Sequence, residues 1–313
     1  MKLQKLILAI LLVAAVVVSG CVGSETETNA SQQVTASQSG FAQIDELETQ
    51  ISDKADEVDA IRDKIDRRSI SLLTSSIAAL DELLLLNSDL QKNLYEFNVL
   101  LNQERKVISD MQSDNSLAEN EKTAITHWDE ANKHFLLWSN YESLASQNAE
   151  KVLSFLKLYN EAIDHINAAD KDYNDAIEKL DNRDQNGATN ALAAAQKHLS
   201  SAEEKLTVAN RAINFEFNNK IIASVRLTNQ AYGEYILTLL PGKSESYSRE
   251  NAYSAYEKHI KEAEDILPTE KAIDDEVYFW KRVNIDSVYD KADDELRQAK
   301  KSVDAGNALI KEN

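Results

Sequence analysis

The sequence predicts an all-α protein, and three observations carry that expectation. Helix breakers are scarce: 313 residues hold seven glycines and two prolines, far below ordinary usage. The composition is dominated by Ala, Leu, Glu, Lys, Asp and Asn, mostly good or tolerated helix residues with few β-branched runs. Apolar residues recur at helical and heptad spacing over long stretches. The expected architecture is an elongated antiparallel bundle of coiled-coil hairpins.

The first element is not part of that fold. Lys2 and Lys5 precede an unbroken apolar run from Leu6 to Val18, followed by Ser19, Gly20 and Cys21. Basic, apolar, then small residues is the order of a secretory signal peptide. Thirteen helical residues rise about 20 Å, short of a hydrocarbon core of about 30 Å. Residues 1–20 therefore read as a signal segment rather than a permanent span. The tetrapeptide "VSGC", Val18 to Cys21, resembles the lipobox of prokaryotic lipoproteins, an aliphatic residue and two small ones before a cysteine. The resemblance is confined to the first 21 residues. It implies diacylglycerol on the Cys21 thiol and a mature chain that starts there, held at the outer face of the cell membrane. Two acyl chains anchor stably where one is marginal. Cys21 is the sole cysteine, so an intrachain disulfide is excluded.

Residues 21–40 are small, polar and aperiodic, and read as a flexible tether. They contain the sequon "NAS", making Asn29 a candidate glycosylation site.

Residues 41–112 contain neither glycine nor proline and read as one long helix. Ile44, Ile51, Val58, Ile65 and Leu72 stand seven apart, a seam seeking another helix. Leu47 and Ile61 form a second stripe that Lys54 and Arg68 interrupt. The seam is a candidate for self-association, and a break near Asp66–Ser71 is compatible with it. Ser116 followed by Glu119 fits a capping box and restarts the chain near Leu117.

Residues 117–240 read as an antiparallel hairpin turning near 181–187. "YNEAID" at Tyr159 recurs as "YNDAIE" at Tyr173. Large residues and alanine alternate along Tyr159, Ala162, Ile166, Ala169, Tyr173, Ala176 and Leu180. They alternate again along Leu192, Ala195, Leu199, Ala202, Leu206, Ala209 and Ile213. Alanine at every second layer lets two backbones approach closely. The second helix is expected to continue to about Leu240, before Pro241 and Gly242. Residues 246–313 read as a C-terminal hairpin divided by Pro268.

The formal charge is −19, and loss of Lys2 and Lys5 makes it −21 (−19 − 2). No basic face offers itself to phosphates, so nucleic-acid binding is not expected. Membrane attachment must come from the lipid. No Gly-rich phosphate loop, nucleophile elbow or H-E-x-x-H motif occurs in the mature chain, so no enzyme is expected, and no cofactor. Glu-x-x-His is missing at all five histidines, which excludes the paired motif of di-iron bundles.

Two weaker site readings remain. His127, Glu130 and His134 share a helix face, where they are candidate metal ligands. Tyr232, Tyr235, Tyr253, Tyr256 and Trp280 crowd the C-terminal third and are candidates to line a ligand pocket. The leading functional expectation is a lipid-anchored extracytoplasmic scaffold, spacer or accessory subunit that meets a protein partner at the cell envelope. A ligand-sensing or solute-binding bundle is the first alternative, and a metal-binding envelope protein the second.

Overall fold

A computed structural model describes residues 29–68, 76–239 and 249–311, and for 29–38, 66–68 and 249 the backbone alone. The signal segment, Cys21, Leu72, Pro241 and Gly242 lie outside those residues. The protein is all-α, and among the described residues there is no strand. The helices are α1 (Asn29–Arg68), α2 (Ile77–Gln112), α3 (Glu119–Asp181), α4 (Gln185–Ala212), α5 (Glu216–Leu239), α6 (Arg249–Ile266), α7 (Glu270–Lys281) and α8 (Ser287–Lys311). A π-helical turn, Arg282–Asp286, joins the last two. None of them is long and apolar enough to cross a membrane.

Helix α3 is the spine. Its 63 residues span about 95 Å at 1.5 Å per residue. Its first half packs with α1, α2 and α8, and its last third with α4, α5 and α6. The two four-helix groups thus share one continuous helix.

The N-terminal region differs from the single helix expected over 41–112. Helix α1 begins at Asn29, inside the segment expected to be a tether, and continues through Gly40. A β-carbon at Gly40 would lie 2.9 Å from Met111 Sδ, so this glycine permits a close helix crossing. The chain then folds back, and α2 is capped by Ser76, whose hydroxyl accepts the Ala79 N–H at 3.2 Å. Lys54 bonds Asn93 and Glu96 across the hairpin. Ile44, Ile51, Val58 and Ile65 are all buried. Those four seam residues are covered within the chain rather than by a second copy.

The α2–α3 restart falls two residues later than Ser116–Glu119 implied. Ser116 bonds Asp114 instead. The Glu121 carboxylate accepts the Ala118 N–H at 2.7 Å, half of a capping box.

Helices α3 and α4 lie antiparallel, tied by Lys205–Glu161 at 2.5 Å. Ala162, Ala169, Ala176, Ala195, Ala202 and Ala209 are buried to 1% exposure or less. The turn uses Arg183, at φ 62°, as its left-handed residue. Gly187 sits instead in the first turn of α4, where its N–H bonds the capping Asp184 at 2.9 Å. We expect Ala195→Leu to cost about 1–3 kcal/mol by prising these helices apart. Ala193→Leu, on the exposed face of α4, should stay within about 0.5 kcal/mol of the parent. Chemical denaturation of both variants measures the difference.

The helix expected to run on to Leu240 breaks at Ile213–Phe215 and reverses. Neither proline nor glycine marks the spot. Phe215 and Phe217 are buried against Phe155. The Glu276 carboxylate, from α7, accepts the N–H groups of Glu216 at 2.6 Å and Phe217 at 3.1 Å. A helix start capped by a carboxylate from another helix satisfies donors that would otherwise lack partners.

The C-terminal hairpin expected over 246–313 does not form. Helix α6 pairs with α5, and α8 returns along α3. Trp128 Nε1 bonds Asn307 at 3.2 Å, and Asn148 donates to the Asn284 carbonyl, in the π turn, at 2.9 Å. A β-carbon at Gly306 would come within 2.7 Å of Trp128 Nε1, so glycine is needed where α8 crosses that ring. Long-range packing decided this pairing, which local periodicity does not encode.

Candidate functional site

Three polar constellations lie within these bundles. The first is a charge centre in the N-terminal group. The Arg62 guanidinium, on α1, bonds Glu142 of α3 at 2.7 Å and Asp293 of α8 at 2.8 Å. Asp59 stands 3.5 Å away, and the Tyr289 ring lies 5.4 Å from the guanidinium carbon. Glu142 is fully buried. Burial pushes its carboxyl up to about 7, against the pull of Arg62.

Nearer the end of the bundle where α1 begins, Glu104 of α2 accepts the Asn132 amide at 2.7 Å. Glu48 of α1 accepts from Asn307 at 3.0 Å. Both carboxyls are pushed up to about 7 by burial, and the Glu104 charge adds to the shift of Glu48. Each of these buried acids bonds a partner on another helix through one carboxylate oxygen, which ties those helices in one register. Sequence reasoning passed over all of them. The available signal was acidic residues at core spacing: Glu104 between Leu101 and Ile108, Glu142 between Trp138 and Ala145.

The second constellation holds four of the five aromatic candidates. Tyr235 stacks on Tyr256 at 4.9 Å, and Tyr253 lies 5.9 Å from Tyr256. Tyr173 of α3 completes the group. Its ring stacks on Tyr232 at 4.9 Å and its hydroxyl meets that of Tyr256 at 2.5 Å. Burial raises the phenols of Tyr232 and Tyr256 well above the usual range. These rings pack against one another between α3, α5 and α6. Trp280 is elsewhere, 6.3 Å from the Phe215 ring at the junction of the two groups.

The third concerns histidine. His127 lies 3.8 Å from Glu130, which faces solvent. His134 turns instead to Glu295 of α8, at 2.6 Å. The expected His127, Glu130 and His134 set is therefore not gathered, because the returning α8 supplies His134 with its own carboxylate. Among the described residues no group of three His, Cys, Asp or Glu side chains is arranged around a common metal position. The structure does join two other histidines. His165 Nδ1 of α3 and His198 Nδ1 of α4 are 3.2 Å apart, and His198 Nε2 faces Asp172 at 3.7 Å. Their signal was indirect: each directly precedes a core-stripe residue, Ile166 and Leu199, on facing helices.

Compared with protein-family models, curated proteins and solved structures, the chain matches none.

Proposed function

We propose that this protein is a lipid-anchored extracytoplasmic spacer and interaction subunit, held by Cys21 at the outer face of the cell membrane. The observation that carries the reading is the path of α3. Gly40 beside Met111, and Asn120 bonded to the Leu309 carbonyl, gather the early part of α1 with the ends of α2 and α8 and the start of α3. The tyrosine-filled group lies toward the other end of the same helix, tens of ångströms away. A lipid near the chain start would thus hold one bundle close to the membrane and display the other.

The display is rigid for identifiable reasons. One unbroken helix joins the groups, and Phe155, Tyr159, Phe215, Phe217 and Trp280 pack edge-to-face or stacked around it at the junction. The acidic surface supports a partner of complementary charge and leaves lipid, rather than headgroup attraction, as the means of attachment.

The test is fractionation of cells producing the parent or Cys21→Ser. The parent should enter the membrane fraction and carry a diacylglycerol-modified N-terminal cysteine by mass spectrometry. Cys21→Ser should lose the lipid and its processing at that residue. An unmodified Cys21 in the parent would overturn the anchor.

A further inference from the structure

We infer that His165 and His198 form a binding site for a divalent transition-metal ion, bridging α3 and α4. Two imidazole nitrogens bound to one ion at about 2.0–2.1 Å, with an angle near 100° between them, stand about 3.2 Å apart. The two Nδ1 atoms are separated by 3.2 Å as they stand. The rings come from separate helices whose alanine seam fixes their spacing, with Ala162, Ala195 and Ala202 buried beside them. The pair is therefore pre-positioned by packing rather than by a flexible loop.

The surroundings fit the same ligation. Asp172 faces His198 Nε2 at 3.7 Å. A carboxylate behind a ligating imidazole is the usual outer partner of a metal site. In the metal-free protein one Nδ1–H donates to the other ring's Nδ1. On binding, the donating ring adopts the tautomer protonated at Nε2, the proton passing through solvent. Both nitrogens then point lone pairs at the ion and no net proton is lost. The rings are half-buried, with His198 at 38% side-chain exposure, so an ion has access and water fills its remaining positions. Imidazole donors favour zinc, copper or nickel over calcium or magnesium. Nearby Glu161 is engaged by Lys205 at 2.5 Å, leaving the two histidines as the protein ligands.

The experiment uses the full chain after the signal segment, carrying Cys21→Ser so that no thiol competes. Zn(II) titration, followed by melting temperature and by competition with a chelating dye, should show saturable binding of one ion. His165→Gln and His198→Gln should each weaken it by about 10-fold or more, while metal-free melting temperatures stay near the parent's. His134→Gln should leave binding intact. Cu(II) bound to the parent should show the electron paramagnetic resonance splitting of two nitrogen ligands, reduced in each single variant. Unchanged binding in the His165→Gln, His198→Gln double variant, or no saturable binding by the parent, would overturn the site.

Discussion

Replacing Arg62 by methionine should lower stability by about 3–5 kcal/mol at pH 8, the scale for breaking a buried ion pair by removing one partner. The reason is what remains. Glu142 is fully buried and loses its bond at 2.7 Å, while Asp293 and Asp59 keep their charges beside it. Glu142 already sits near pH 7 because of burial, and Arg62 is what holds its carboxyl down. Without the guanidinium it will take up a proton more readily. The loss should therefore shrink at pH 5, where neutralising Glu142 costs little. Adding Glu142→Gln to Arg62→Met should recover much of the stability at pH 8, since the uncompensated buried charge is gone. Urea denaturation of the two singles and the double measures this cycle. A cost for Arg62→Met below about 1 kcal/mol at pH 8 would mean the centre behaves like an exposed pair.

The second large effect is pH-dependent and comes from Glu104. This side chain is 1% exposed, and burial raises its carboxyl from an ordinary 4.5 to about 7. The folded protein thus holds a proton that the unfolded chain releases between those values. Stability from this group is complete below about pH 4.5 and falls as pH rises through 7. The difference is on the order of 3 kcal/mol. Glu104→Gln keeps the shape and an oxygen for Asn132 but cannot ionise. At pH 8 it should raise the melting temperature by roughly 5 °C, and at pH 5 it should change little. Equal shifts at both values would show that ionisation is not what limits stability there.

The parts legible in the sequence are those fixed by local or periodic rules. The Ile44–Ile65 seam marked a buried face because a seven-residue repeat keeps one side of a helix in contact. The alternating stripes from Tyr159 to Leu180 and from Leu192 to Ile213 marked facing helices because alanine permits close approach. What periodicity cannot encode is the partner. The first seam closes on α2 of the same chain, and α8 crosses back to α3 because Trp128 and His134 meet Asn307 and Glu295 there, while Asn148 bonds the π turn that leads into it. The break at Ile213–Phe215 was invisible for the same reason: its cap, Glu276, lies about sixty residues away along the chain. Of the site readings, four of the five aromatic residues do cluster, and His134 is claimed by a residue outside its helix. The charge centre and the His165–His198 pair depend on helix register across a fold, which no single segment reveals.

The central claim is that an anchored rod presents its far bundle to an envelope partner. Crosslinking mass spectrometry on intact cells, with the mature N-terminus read in the same sample, tests it most directly. Lys171, Lys197, Lys258 and Lys261 are exposed in that bundle. The account predicts a lipidated Cys21, together with reproducible crosslinks from these lysines to one envelope protein. A lipidated Cys21 whose far-bundle lysines link only within the chain would contradict the role as a presenting subunit.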